Sequence, residues 1–204
     1  MSPSIILMFG TALGALAGCA DSINPHAAQP DAAAPAPDAD RDAPPTGKVT
    51  TARRADATYT TRVDSTSITA WTYADFETGA EVPTTGAWDL RFQRFHISTN
   101  GGVSGTGGVA IAAVTGMSFE AVTTAPATGY ISDSADGNGD GMPDFALDQG
   151  DGWYDYDSSS HVLSPKPIVW IVKTDHGTTL KLEILTYYDD AGTAGWFTLH
   201  WAPL

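Results

Sequence analysis

Trp88-Asp89-Leu90-Arg91-Phe92-Gln93-Arg94-Phe95 sets apolar Trp88, Leu90 and Phe92 against polar Asp89, Arg91 and Gln93. A period of two puts alternate side chains on opposite faces, so this stretch predicts a strand with one buried face. At Phe95 and Ile97 the apolar parity switches, which predicts a bulge near Arg94 or a face exposed on both sides. Outward from this stretch the pattern stays β. Residues 58–63 and 67–73 are rich in Thr, Ile, Trp and Tyr with short polar breaks. A glycine-rich loop, Asn100-Gly101-Gly102-Val103-Ser104-Gly105, runs into a strand at about 109–114. Residues 168–172 form a continuous apolar run, Leu180, Leu182 and Ile184 alternate with Lys181 and Glu183, and 196–201 closes the pattern. No stretch carries a helical stripe. Many short strands with glycine turns predict an all-β fold, a single antiparallel β-sandwich or partly closed barrel.

Composition narrows the function classes. The 204 residues are 42 % hydrophobic and 17 % charged, enough apolar content for one domain with a real core. Twenty-four acids against ten Lys and Arg give a net charge of -14. Such a polyanion is a poor partner for nucleic acid, whose phosphates need clustered Lys and Arg. One cysteine excludes an intrachain disulfide and a Cys-rich zinc site.

That cysteine falls at a telling place. An apolar run over about 5–17 is too short for a membrane-spanning helix, which needs ~20 residues, but has the length of a signal-peptide core. Leu16-Ala17-Gly18-Cys19 follows it and resembles the bacterial lipobox, in which the peptide is cut before a cysteine that receives lipid. No Lys or Arg precedes the run. The expected organisation is a signal peptide at 1–18, lipidated Cys19 heading an Ala/Pro/Asp-rich tether at 19–57, and the β domain at 58–204. The tether has almost no large apolar side chains and is expected to be disordered. Membrane attachment through the lipid follows. Ala20 after the cysteine, in place of Asp, points to the outer membrane or cell surface of a Gram-negative bacterium.

Other motifs carry less. The glycine loop lacks the Lys-[Ser/Thr] ending of a P-loop, and Ser104 is not in a Gly-x-Ser-x-Gly elbow; a turn with close backbone packing is expected there. Residues 136–144 read Asp-Gly-Asn-Gly-Asp-Gly-Met-Pro-Asp, so Asp136, Asn138, Asp140 and Asp144 alternate around glycine bends. Such oxygen spacing suits Ca²⁺, although the twelfth-position Glu of an EF-hand is replaced by Leu147 and acidic turns also occur without metal. The five histidines, His26, His96, His161, His176 and His200, form no HxH, HxxxH or HExxH pair; His96, His176 and His200 each read as structural, and His26 as an idle residue of the tether. Glu77, Glu81, Glu120 and Glu183 show no pairing of the kind a glycosidase needs, so no enzyme is expected. Trp153, Tyr154 and Tyr156 cluster as core, or as an aromatic wall for a flat ligand.

The 88–95 stretch and the 100–105 loop together resemble the HmuY-like lipoproteins. Trp71-Thr72-Tyr73 with Glu77-Thr78-Gly79, Pro126 through Gly129-Tyr130, and the closing strands at 169–173 and 180–188 extend the likeness over about 58–201. The resemblance implies an all-β surface lipoprotein that captures haem for iron acquisition and passes it to a TonB-dependent receptor. The family's prototype holds haem iron through two histidines, one after an Asp-Gly and one five residues past a Trp. Here Asp140-Gly141 precedes Met142, and five past Trp153 stands Ser158, with His161 three residues on. By this resemblance Met142 and His161 are the candidate haem axial ligands. The alternative is a structural or interaction lipoprotein whose 136–144 loop is stabilised by Ca²⁺.

Overall fold

β-branched and aromatic residues on alternating positions form twelve strands over residues 47–204, the part of the chain that the computed structural model describes. The apolar leader, Cys19 and the tether to residue 46 lie outside the described residues. The strands are β1 (Val49–Arg53), β2 (Tyr59–Asp64), β3 (Thr72–Asp75), β4 (Ala80–Glu81), β5 (Leu90–Gln93), β6 (His96–Thr99), β7 (Ala110–Thr115), β8 (Tyr154–Asp157), β9 (Val162–Pro165), β10 (Ile168–Lys173), β11 (Thr179–Tyr188) and β12 (Ala194–Pro203). Ten form one antiparallel sheet in the order β6-β5-β3-β4-β1-β2-β12-β11-β10-β7, and β8 pairs with β9 as a separate hairpin. The two edges approach each other where the Val109 N–H donates to the Asn100 carbonyl at 3.1 Å, so the sheet is nearly closed into a barrel. The all-β expectation holds.

The inner face buries Phe92, Leu90, Ile97, Trp153, Phe197 and Leu199 in one core. The continuous apolar run of β10 has a separate cause. Trp170 and Val172 face this core, while Val169 and Ile171 face outward against Ala112, Phe119 and Val122. The segment after β7 thus covers the sheet's outer face, and Lys181 pins it by donating to the Phe119 and Val122 carbonyls at 2.7 and 2.9 Å.

Three local expectations are corrected. The ordered chain starts before residue 58: β1 pairs along its whole length with β2, because Val49 is buried opposite Val63. The parity switch is neither a bulge nor a two-sided strand. Arg94, at φ 49°, turns the chain back at once, Gln93 pairs with His96, and Ile97 returns opposite Phe92 into the same core. Residues 67–71 are not strand; the Ser67 hydroxyl accepts the Thr69 and Ala70 N–H groups and holds a turn.

The glycine loop is a packing device, as its composition predicts. A Cβ at Gly101, Gly102 or Gly105 would lie 2.1 Å from the Val109 carbonyl, 1.8 Å from the Asp133 carbonyl and 2.0 Å from Asn100 Oδ1. Only glycine lets these backbones meet.

Candidate functional site

Asp133 builds the site. Its carboxylate is buried against β6 and accepts from the Ser98 hydroxyl at 2.7 Å, the Thr99 hydroxyl at 2.9 Å and the Thr99 N–H. It also accepts from the Ala146 N–H at 2.9 Å. Ser134 and Asp144 then pair through two backbone bonds, so residues 135–143 leave and return at one place. This clamps the acidic loop beside the start of β6.

A cleft of about 370 Å³ opens there, lined by His96, Asp140, Met142, Asp144, Phe145 and Asp148 among others. His96 leans on Phe95 and Phe145 with ring centroids 4.2 and 5.5 Å away, and Trp71 meets Phe145 edge-on at 5.6 Å. His96 Nδ1 stands 3.4 Å from Asp148 Oδ2, a weak contact, and Asp148 Oδ1 is buried without a hydrogen bond. Burial pushes the Asp148 carboxyl above the usual carboxylate range, against the pull of His96.

The structure therefore places Met142 and His96 on the lining of one cleft, His96 being a residue whose sequence surroundings read as structural. His161 does not line this cleft. It sits at φ 58° on the β8–β9 turn, exposed, with Nδ1 2.5 Å from the Tyr156 hydroxyl. Pairing in space, not spacing in sequence, puts His96 here: the Asp133 carboxylate accepts from the Ser98 and Thr99 hydroxyls, 34 and more residues away.

The 136–144 oxygens are turned into their own loop. Asp136 accepts from Gly139 and Gly141 N–H at 2.6 and 2.9 Å, and Asn138 accepts from Asp140 N–H at 2.9 Å. Asp140 accepts from Met142 N–H at 2.8 Å, and Asp144 from Gly137 N–H at 3.1 Å. The Gly141 and Gly139 N–H bonds hold Asp136 below the usual carboxylate range. Neither Arg91 nor Arg94 lines this cleft, and Arg91 Nε donates to the Ser98 hydroxyl at 3.0 Å. Arg91 lies over Trp71 at 4.5 Å and Trp88 at 5.4 Å, and Arg94 points at the Thr66 and Ala194 carbonyls. His200 is structural as expected, held between Glu183 at 2.8 Å and Thr58 at 2.9 Å.

A nearly closed antiparallel barrel with a clamped acidic loop beside β6 defines an all-β class, not a helical or α/β scaffold. Residues 67–201 match the model of the HmuY protein family, and the chain belongs to that family. Solved structures agree in fold. A Bacteroides vulgatus chain described as an HmuY-like heme binding protein superposes with a TM-score of 0.56 at 19 % identity, over 75 % of this chain and 96 % of that one. A Bacteroides fragilis chain described as a candidate lipoprotein gives 0.53 at 22 %, over 74 % and 93 %, and the apo HmuY analog of Tannerella forsythia gives 0.53 at 16 %, over 71 % and 94 %. No curated protein matches the chain.

Proposed function

We propose that this chain is a lipid-anchored cell-envelope protein that captures haem or a related porphyrin for iron acquisition. Lipidation of Cys19, residence at the outer membrane or cell surface and delivery to a TonB-dependent receptor belong to the same reading, and a catalytic role does not. One observation carries it beyond family membership: Met142 shares a cleft with an imidazole, His96, between aromatic rings. The donor chemistry suits the group, since thioether and imidazole are both haem axial ligands. Haem, when bound, would supply an iron that takes thioether and imidazole donors. Met142 would offer one donor. His96, which lines the same cleft, is the first candidate for the other, and His161 would serve only if the β8–β9 hairpin swings toward the loop. Phe145 and Trp71 offer apolar surface to the macrocycle. Asp140, Asp144 and Asp148 repel propionates and turn them toward solvent.

That same acidic lining favours a second reading: an interaction lipoprotein without haem, whose 136–144 loop takes Ca²⁺ through Asp136, Asn138, Asp140 and Asp144. A haem titration of the purified protein, followed by its Soret band with and without Ca²⁺, separates the two. Haem capture predicts a saturable, sharpened band that is lost in Met142→Ala. Comparing His96→Ala with His161→Ala then identifies the second donor. An unchanged Soret band across the titration overturns the haem reading.

A further inference from the structure

Away from the Met142 cleft, four carboxylates from distant parts of the chain converge. Asp75 ends β3, Glu77 lies in the turn after it, Asp89 precedes β5, and Asp175 sits with His176 in the β10–β11 turn. Ligand atoms of Glu77, Asp89 and Asp175 all lie within 4.8 Å of one another, as do those of Asp75, Glu77 and His176. Asp89 is fully buried and Asp75 nearly so. Among the described residues no Lys or Arg stands within 4 Å of any of them. His176 is the one basic group within reach among the described residues, its Nδ1 2.7 Å from Asp175 and 3.6 Å from Glu77, and it is half exposed, so the four carboxylates outnumber their counter-charge.

Asp175 points to the same conclusion independently. Its side chain is only 9 % exposed, and its carboxylate accepts no hydrogen bond. The one base near it, His176 Nδ1, lies 2.7 Å from Oδ1 but off the hydrogen-bonding direction. The neighbouring carboxylates are already aimed by donors. Thr174 and Thr178 hydroxyls hold Glu77 Oε1 at 2.7 and 2.6 Å, leaving Oε2 free of them. Phe76 and Asp175 N–H groups hold the two Asp89 oxygens at 2.9 and 3.0 Å. Each carboxylate oxygen has a second lone pair for a metal. Glu77 also lines a cavity of about 460 Å³ with Phe76, Tyr59 and Trp201, which gives an ion a path in.

We propose that Glu77, Asp89 and Asp175, with Asp75 and His176 at the margin, bind a hard divalent cation, Ca²⁺ first. Three oxygen donors select such an ion over a soft one. The ion joins the turn after β3, the start of β5 and the β10–β11 turn, and so acts as a staple for the fold.

The test is thermal melting and calorimetric titration of the full chain with Ca²⁺ after chelator treatment. The expected rise in Tm is roughly 5–10 °C at free Ca²⁺ about 100-fold above Kd. Glu77→Gln and Asp175→Asn, both outside the core, should each abolish the rise and the binding heat, while Asp136→Asn with Asp140→Asn keeps both. A response to Mn²⁺ or Mg²⁺ with the same variant pattern also supports the site. No heat and no shift with Ca²⁺, Mg²⁺ or Mn²⁺ overturns it. So does a response lost in the 136/140 variant and kept in Glu77→Gln and Asp175→Asn.

Discussion

At Gly102 the backbone runs at φ 60° with the Asp133 carbonyl where a Cβ would go. Gly102→Ala must therefore accept both a left-handed alanine and a steric clash with main chain. The expected loss is at least about 3 kcal/mol of unfolding free energy. Gly116 has the same sign of φ but open space around it, so Gly116→Ala should lose only about 1 kcal/mol. Urea denaturation of the two variants checks the contrast; equal losses would mean that conformation, not packing, selects glycine in the loop. Single residues also explain why the candidate cleft was only half legible. Asp140-Gly141-Met142 is contiguous and could be read directly. His96 could not, because the Met142 loop reaches β6 through the Asp133 carboxylate, which accepts four hydrogen bonds from Ser98, Thr99 and Ala146 across long sequence gaps.

At the scale of elements, β10 is the informative strand. Its run of apolar residues fits a strand covered on both faces, and the outer cover is the 119–122 segment. Ile171, fully buried under that segment, should lose about 2–5 kcal/mol on truncation to Ala. A loss below about 1 kcal/mol in urea melts would mean that the outer layer adds no packing. The β5–β6 hairpin teaches a complementary lesson. Alternation located β5 correctly, but a parity switch looks the same whether the chain bulges or reverses. Only the pairing of Gln93 with His96 distinguishes the two.

For the whole molecule, buried Asp89 makes global stability depend on pH. Burial, together with the charges of Glu77 and Asp175, pushes its carboxyl to about 7, against the two N–H bonds it accepts. In chelator-treated protein the folded state then holds a proton that the unfolded chain releases near pH 4. Stability from this group is complete below about pH 4 and is lost as pH rises toward about 7. Asp89→Asn should flatten that slope even if it lowers stability throughout. Unfolding free energy measured by urea at pH 4, 5.5 and 7 checks it, and a slope retained in the variant would assign it elsewhere.

The sequence by itself determined the all-β class, the turn role of the glycines and the family, because alternation, β-branching and short contiguous motifs are local properties. It also carried the expectation of a leader, a lipidated Cys19 and a tether, which rests on contiguous residues. Tertiary structure alone decided which side chains meet. Near-closure of the sheet, the outer layer on β10, the cleft that His96 and Met142 both line and the convergence of Asp75, Glu77, Asp89 and Asp175 all join residues tens of positions apart. Such contacts are set by strand order and register, which no local pattern encodes.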